Sequence, residues 1–575
     1  MGGGENLPMN TKAVSSEPGQ NIYLHAVVDL GSNGIRCSIS DLSPPSTRVI
    51  PTAHFHRVNI SLYEAQVDPK TGTRIPIPKH VIDRVVSAIV RFQIVCVEIG
   101  VPQQNIRIIA TEATRTAINA SVFMDAILQK TGISVEALRK EEEGVIGAWG
   151  IASSFSDVEG LALDLGGGSM QMTWIASHAG NVHMSPQGSV SFPYGAAALT
   201  QKLADLKRDK SKEEAHKARE AFRKEMADNF RAAFDRIEVP ERLVKKAREQ
   251  GGFPLYLSGG NYPISIINGY TAPKKDFEDT EALKEVARTA HEIFRVSDRR
   301  RKQVPSVAFL VNTLAESLPH GIKEAHFCQG GVREGVLFRE MLPVVRQQDP
   351  LEVATARHAP QSAQALAGLI LAALPRPSAQ RSFPSSITLH LVQAFVNVLY
   401  YHATMSKELS SSAALFSTST GILASTHGIP HSHRALLALM LQERYGGELP
   451  PRDVDFKTHL QGILTPEEVW WTRYLGKVGL VLSQLYPTGS VDNSKPRIVP
   501  RAEWRSGLGK KGKKEGLDLT ISVQKVAYDP THLKEELEHD VQRIEKVGKR
   551  KNWIGGRDGW GIKVRVSVVE EDLIV

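Results

Sequence analysis

Two stretches far apart in the chain share one arrangement: Val27-Val28-Asp29-Leu30-Gly31-Ser32-Asn33 and Ala162-Leu163-Asp164-Leu165-Gly166-Gly167-Gly168-Ser169. Each runs through apolar residues to an aspartate and turns through glycine and serine. A second apolar stretch follows, Ile35 to Ile39 and Met170 to Ile175. This spacing reads as strand, tight loop, strand. Glycine lets the backbone approach a ligand closely and adopt φ > 0, so that several N–H groups converge on an anion. Two such loops, one per half of a duplicated domain, would grip a phosphate chain from opposite sides. Gly31, Ser32 and Asn33 in one loop and Gly166, Gly167, Gly168 and Ser169 in the other are therefore candidate phosphate-binding residues. Asp29 and Asp164 are candidate ligands for a divalent metal such as Mg²⁺, or for its water shell.

The elements that position these loops follow from the apolar pattern. From Tyr23 to about Glu143, short β-rich runs alternate with an amphipathic helix over roughly Val81 to Ile99. Arg107-Ile108-Ile109-Ala110-Thr111 reads as a buried strand. The second half, from about Val145 to Leu342, holds the Asp164 loop, a charged helical region between Thr200 and Gln250, and strands near Pro254–Leu257 and Ala325–Cys328. In the helical region both charge signs interleave at helical spacing, as on a solvated face. The basic run Asp298-Arg299-Arg300-Arg301-Lys302 reads as the cover of a loop rather than as the wall of a phosphate channel. Beyond about Pro350 the composition turns rich in Ala, Leu, Ser and His, as in a helical bundle. The end of the chain reads strand, helix, strand, with Leu533, Leu537, Val541 and Ile544 on one helix face.

At 575 residues the chain is too long for one hydrophobic core and is expected to form roughly three or four domains. A formal net charge of +8 favours anionic partners in general and selects none. The three cysteines, Cys37, Cys96 and Cys328, lack metal-ligand spacing and sit among apolar residues, as reduced buried thiols do. No apolar run approaches a membrane-spanning length, and the N-terminus lacks the apolar core of a signal peptide. A cytoplasmic location with no membrane partner is expected. Nucleic acid is not expected as a partner, because the Lys510 to Lys514 run has no interleaved aromatics. A homodimer is left open.

In combination the motifs resemble the exopolyphosphatase and guanosine pentaphosphate phosphatase (Ppx/GppA) family. Asp29-Leu30-Gly31-Ser32-Asn33-Gly34-Ile35-Arg36 resembles its first phosphate motif, and Asp164 to Ser169 its second. Thr111-x-x-x-Arg115-x-Ala117-x-Asn119 is similar to its arginine-bearing helix start. Glu141-Glu142-Glu143-Gly144 stands where the family has paired glutamates, and Gly330-Gly331-Val332-Arg333-Glu334-Gly335 resembles the start of its closing helix. The resemblance implies an α/β chain with a duplicated actin-like ATPase (ribonuclease H-like) fold, then a helical HD-like domain and a small C-terminal α+β unit. The expected boundaries are a disordered tail at 1–21, subdomain I at 22–144, subdomain II at 145–348 and the HD-like domain at 349–486. A basic linker at 487–516 and the α+β unit at 517–575 complete the chain.

The resemblance also implies roles. Arg36 and Arg115 would join the loops in neutralising phosphate oxygens, Asp29 and Asp164 would position Mg²⁺, and Glu143 would be the carboxylate that activates water. Two positions depart from the family. Gln171 replaces a glutamate after the second loop, and an amide neither carries charge nor accepts a proton at neutral pH. Gly34 replaces a second serine. Phosphate binding is thus better preserved than cleavage. His427, His431 and His433 have a spacing that suits either a metal or ordinary packing, with packing favoured. Within the family the layout resembles a fungal branch of cytoplasmic regulators that relay mitochondrial or metabolic state to transcription through protein partners. The expected ligands are polyphosphate, a (p)ppGpp-like nucleotide or an adenine nucleotide. An active Mg-dependent exopolyphosphatase or guanosine pentaphosphate phosphatase is the alternative.

Overall fold

Side chains are buried almost without alternation along β1 (Leu24–Gly31) and β2 (Gly34–Asp41), as in a sheet covered on both faces. The two strands form a hairpin with Gly31 opposite Gly34. β3 (Thr52–Val58) lies antiparallel on β2, and β4 (Ile106–Ala110) runs parallel to β1 after the crossover helix α1 (Lys79–Ile99). The short helices α2 (Glu112–Arg115) and α3 (Ala120–Thr131) lead to β5 (Val135–Ala137), and α4 (Lys140–Ser153) leaves the sheet. Its strand order is β3-β2-β1-β4-β5.

The same plan then recurs. β6 (Val158–Leu165) and β7 (Met170–His178) form the second hairpin, with β8 (Asn181–Met184) and β9 (Val190–Phe192) antiparallel on β7. The charged region resolves into α5 (Ala196–Asp205), α6 (Lys212–Arg236) and α7 (Glu241–Gln250). Phe222, Met226, Phe230 and Ala233 form the buried stripe of α6 and leave its other faces to solvent. β10 (Phe253–Ser258) is parallel to β6, and β12 (Ile322–Phe327) is parallel to β10, with β11 (Thr271–Pro273) antiparallel at the edge. Helix α8 (Asp298–Ser317) precedes β12 and α9 (Val332–Glu340) follows it. The path β8-β7-β6-β10-β12 thus repeats the order and sense of β3-β2-β1-β4-β5.

The matching helices α4 and α9 pack directly against each other. Their contact requires glycine, because a Cβ on Gly335 would sit 2.1 Å from the Ile146 carbonyl oxygen and one on Gly150 2.4 Å from that of Gly331.

The computed structural model describes residues 21–68, 71–259, 271–273, 298–378, 381–424, 426, 428–494, 496–509, 512–524 and 530–571. The expected N-terminal tail, apart from residue 21, lies outside them, as does His427. The chain divides into two compact units, Met1–Gln348 and Asp349–Val575. Cys37, Cys96 and Cys328 are buried free thiols, and no helix among the described residues is long and apolar enough to cross a membrane.

The second unit begins with a helical region whose centre is the Pro466–Leu485 helix, with Trp470, Trp471 and Tyr474 fully buried. His431 and His433 lie in the first turn of the His431–Arg444 helix, where burial holds the His433 pKa below its ordinary value. Among the described residues no three His, Cys, Asp or Glu side chains are grouped to hold a metal. The expected linker at 487–516 is corrected: residues 498–508 and 514–516 within it are strand. β13 (Ile498–Leu508) pairs with β14 (Lys514–Gln524), which pairs in parallel with β15 (Lys563–Glu571) after the Pro530–Val547 helix. Ile498, Pro500 and Ala502 alternate inward on β13. Pro500 is tolerated because β13 is an edge strand.

Candidate functional site

The two glycine loops abut. A Cβ on Gly167 would lie 2.8 Å from Asn33 Cγ and 2.9 Å from Ser32 Cβ, so only glycine fits where the loops meet. The start of α5 braces the second loop, with Ala196 N–H donating to the Gly166 carbonyl (3.0 Å) and Ala197 N–H to that of Gly167 (2.8 Å). Across the lobes, the Asn33 and Gln303 side-chain amides exchange hydrogen bonds of 3.0 and 3.3 Å. The first loop is therefore fastened to α8 of the other lobe.

Between the loops lies a cavity of about 400 Å³. Asp29, Gly31, Ser32, Asn33 and Arg36 line it from one lobe; Glu143, Asp164, Gly166, Gly167 and Ser169 complete the wall. Two candidates lie elsewhere. Gly168 sits beneath Glu112, whose Oε2 lies 1.9 Å from where a Cβ on Gly168 would be. Arg115 turns to Glu143, donating to its Oε2 at 3.1 Å and to the Leu138 carbonyl.

Strand register explains how the charges meet. Asp29, Arg36 and Arg57 are successive cross-strand neighbours on β1, β2 and β3. Ser258, Asp164, Gln171 and Ser191 form the matching row in the second sheet. Gly147 brings α4 onto that row, since its Cβ would lie 3.2 Å from Asp164 Oδ2. Glu143 is one turn earlier on the same helix. Buried Gln171 donates its amide to the Ser169 hydroxyl at 2.7 Å.

Burial dominates the electrostatics. It pushes Glu143 up to about 7 against the opposing pull of Arg115, and Asp164 up to about 6 against the Ser258 hydroxyl and Arg36. Asp29 is also raised by burial, and its Oδ1 has no hydrogen-bond partner. Facing these acids are Arg57 and Arg300, which the motifs did not indicate, and Arg333, which the closing-helix motif contained without a role in the site. The basic run read as a loop cover is corrected: Asp298–Lys302 forms the first turns of α8 and puts Arg300 in the cavity wall. Burial, Arg57 and Arg36 together bring Arg300 down to about 9. Arg57 lies 3.6 Å from where a Cβ at Gly34 would be, so a guanidinium adjoins the position where the family has serine. The period-two spacing of Phe55 and Arg57, which puts both on one face of β3, was the available signal.

These raised carboxyl pKa values have a definite pH consequence. Below the unfolded-state pKa both states are protonated and burial costs little; as pH rises through about 6 and about 7, the native state must ionise in place. The cluster's contribution to stability is therefore full near pH 4 and lost towards pH 8. Glu143 alone accounts for a loss on the order of 3 kcal/mol. Thermal unfolding from pH 5 to 8 is expected to show a flatter decline in Glu143→Gln than in the wild type, and parallel profiles would refute this.

Residues 46–343 match the profile of the Ppx/GppA phosphatase family, and the chain belongs to that family; its two mixed sheets repeat one strand order. Residues 349–571 match the RTG2 C-terminal domain. The chain is 36% identical over 497 residues to Retrograde regulation protein 2 of Saccharomyces cerevisiae, covering 81% of this chain and 82% of that protein. It is 27% identical over 177 residues to Exopolyphosphatase 1 of Mycobacterium tuberculosis, 30% of this chain and 47% of that protein. Among solved structures it is similar to the Aquifex aeolicus Ppx/GppA phosphatase, at 22% identity and a TM-score of 0.41, covering 56% of this chain and 100% of that one.

Proposed function

We propose that the chain is a regulatory protein of retrograde signalling from mitochondria or metabolism to the nucleus, acting in the cytoplasm through protein partners. Its phosphatase cavity serves mainly as a sensor for polyphosphate, a (p)ppGpp-like nucleotide or an adenine nucleotide. Similarity to Retrograde regulation protein 2 over most of both chains supports the signalling role. The observation that carries the sensor role is Gln171: the site keeps its loops and arginines, yet the residue opposite Asp164 is an amide hydrogen-bonded to Ser169. A ligand closing the lobes biases them only by its differential affinity for the closed form, and the Asn33–Gln303 pair is where closure would register.

Mg²⁺ fits the residues present. The orphaned, buried Asp29 Oδ1 and the Asp164 carboxylate line the same cavity, and Mg²⁺ commonly takes one or two carboxylates with water and phosphate oxygens for the rest. Bound there, it would supply positive charge to the phosphate oxygens. Arg36, Arg57 and Arg300 would hold the chain of phosphates, and the loop N–H groups would orient it.

One observation favours the second reading, an active exopolyphosphatase or guanosine pentaphosphate phosphatase. Glu143, at about 7, is poised to accept a proton from water near neutral pH. Phosphate release from tripolyphosphate with Mg²⁺ separates the two. The sensor reading expects binding with negligible release by the wild type and a gain of release in Gln171→Glu. Rapid release by the wild type, cut by roughly 10²–10⁴ in Glu143→Gln, would establish the enzyme instead.

A further inference from the structure

The second unit has a cleft of its own, about 1130 Å³ in volume. It is walled by the Lys407–Phe416, His431–Arg444 and Pro466–Leu485 helices and by the segment around Arg543–Gly556. Its charge is unbalanced: Lys407, Arg473, Lys477, Arg543, Lys546 and Lys551 line it against Glu408, Glu443 and Glu448. Buried Glu443 is already neutralised, with Lys477 Nζ at 3.0 Å and Lys457 Nζ at 3.2 Å. Two glycines make room for this arrangement. A Cβ on Gly476 would lie 2.6 Å from Glu443 Cβ, and one on Gly447, at φ +84°, 2.6 Å from Glu443 Oε2.

Lys477 also donates to the Glu443 and Gly446 carbonyls, at 3.2 and 2.8 Å, and so belongs to the floor. Arg543 pairs with Asp540 at 3.7 Å; the other four cations have capacity to spare. Arg473 is anchored by Nη1 to the Asn552 carbonyl at 3.1 Å, and its Nε, 3.9 Å from Glu443 Oε1, is ion-paired there but buried without a hydrogen-bond partner. Lys407, Lys546 and Lys551 are exposed and form no ion pair with the described residues. Trp553 closes one side, with Lys514 Nζ 5.5 Å and the Arg550 guanidinium 5.9 Å from its ring centroid. Like charges gathered around one concavity repel each other in the empty protein, and an anion that enters relieves them.

We propose that this cleft is a second anion site, which takes a compact oligophosphate: at least two adjoining phosphate groups held by Arg473, Lys546, Lys551 and Lys407. Adjoining phosphates match both the spread of the cations and the fork of an arginine with unused donors. The chain of phosphates comes either from inorganic oligophosphate or from a nucleotide whose base lies against Trp553. The site is independent of the reading given for the first unit.

Calorimetric titration of the full-length protein with tripolyphosphate tests it. The expected result is a binding event that Lys546→Glu with Lys551→Glu weakens about tenfold or more, that Lys546→Arg with Lys551→Arg preserves, and that Arg300→Met leaves unchanged. Both lysines are exposed, so these variants fold, and Arg473→Gln gives an independent second loss. A parallel titration with a nucleoside triphosphate distinguishes the sources: tighter binding assigns a nucleotide, equal binding the inorganic chain. Tripolyphosphate binding unaltered by the charge reversal would overturn the proposal, and so would an effect confined to duplex nucleic acid. If the first-unit reading fails, the event sensitive to Arg300→Met is absent while this one remains.

Discussion

Gly335→Ala is expected to destabilise the first unit by about 3 kcal/mol or more, towards the upper end of what overpacking costs. The added methyl would stand 2.1 Å from the Ile146 carbonyl oxygen and close to the Gly150 backbone. No rotamer change can relieve a clash with backbone, so α4 and α9 must separate. Those helices carry Glu143 at the start of one and Arg333 at the start of the other, and their separation also dismantles the cavity. Urea unfolding followed by circular dichroism measures the loss. Gly368 supplies the contrast: it lies within the Ala363–Ala372 helix with nothing within 4 Å of its would-be Cβ. Gly368→Ala is expected to stabilise by roughly 0.5–1 kcal/mol through the helix preference of alanine. A small loss at Gly335, comparable with an exposed substitution, would mean that the two helices are not held at backbone contact.

Arg300→Met is expected to act with opposite signs on stability and on binding. In the empty protein Arg300 is half-buried beside Arg57 and Arg36, and desolvation first, then these two charges, bring its pKa down to about 9, so it is still charged at neutral pH and raises the energy of the fold. Arg36 and Arg57 are directly cross-strand, a placement in which like charges destabilise a sheet. Methionine keeps an unbranched apolar stem and removes the charge. The apo protein therefore gains stability, seen as a melting temperature raised by a few degrees. Affinity of the first-unit cavity for tripolyphosphate falls by roughly ten- to a hundredfold, as when a charged hydrogen-bonding group is lost. Loss of stability together with unchanged binding would show that Arg300 is structural. A gain in stability at the expense of a ligand is the trade expected of a site held ready for an anion.

The sequence exposed the parts of this site that are contiguous in the chain. Asp29 and Asp164 each precede a glycine turn within a few residues, and a strand-loop-strand hairpin places such residues at a sheet's end without help from the rest of the fold. Arg57 and Arg300 were hidden because each reaches the cavity through tertiary structure, from an edge strand and from the first turn of α8, whereas Arg333 stood in the closing-helix motif and only its place in the cavity had to await the fold. Taken alone, neither Arg57 nor Arg300 differs from the surface arginines that surround it in the chain. The run at Asp298–Lys302 was misread for the same reason, since charge density suggests solvent unless helix and cavity are known. β13 was missed because proline, glycine and lysine mask a period-two pattern that only pairing with β14 makes clear. The second-unit cleft was equally opaque, because Lys407, Arg473 and Lys551 come from three separate segments. The pairing of Asn33 with Gln303 joins residues 270 positions apart, a contact that no local pattern announces.

A single measurement bears most directly on the claim that both lobes grip one phosphate chain: calorimetric titration of tripolyphosphate with Mg²⁺ into the Lys546→Glu, Lys551→Glu protein, where the first-unit cavity dominates. Arg36→Met in the first lobe and Arg300→Met in the second should each weaken the same event, at a stoichiometry of one per chain. Binding that survives either substitution intact, or that titrates as two events each sensitive to one lobe, would contradict a shared pocket between the two glycine turns.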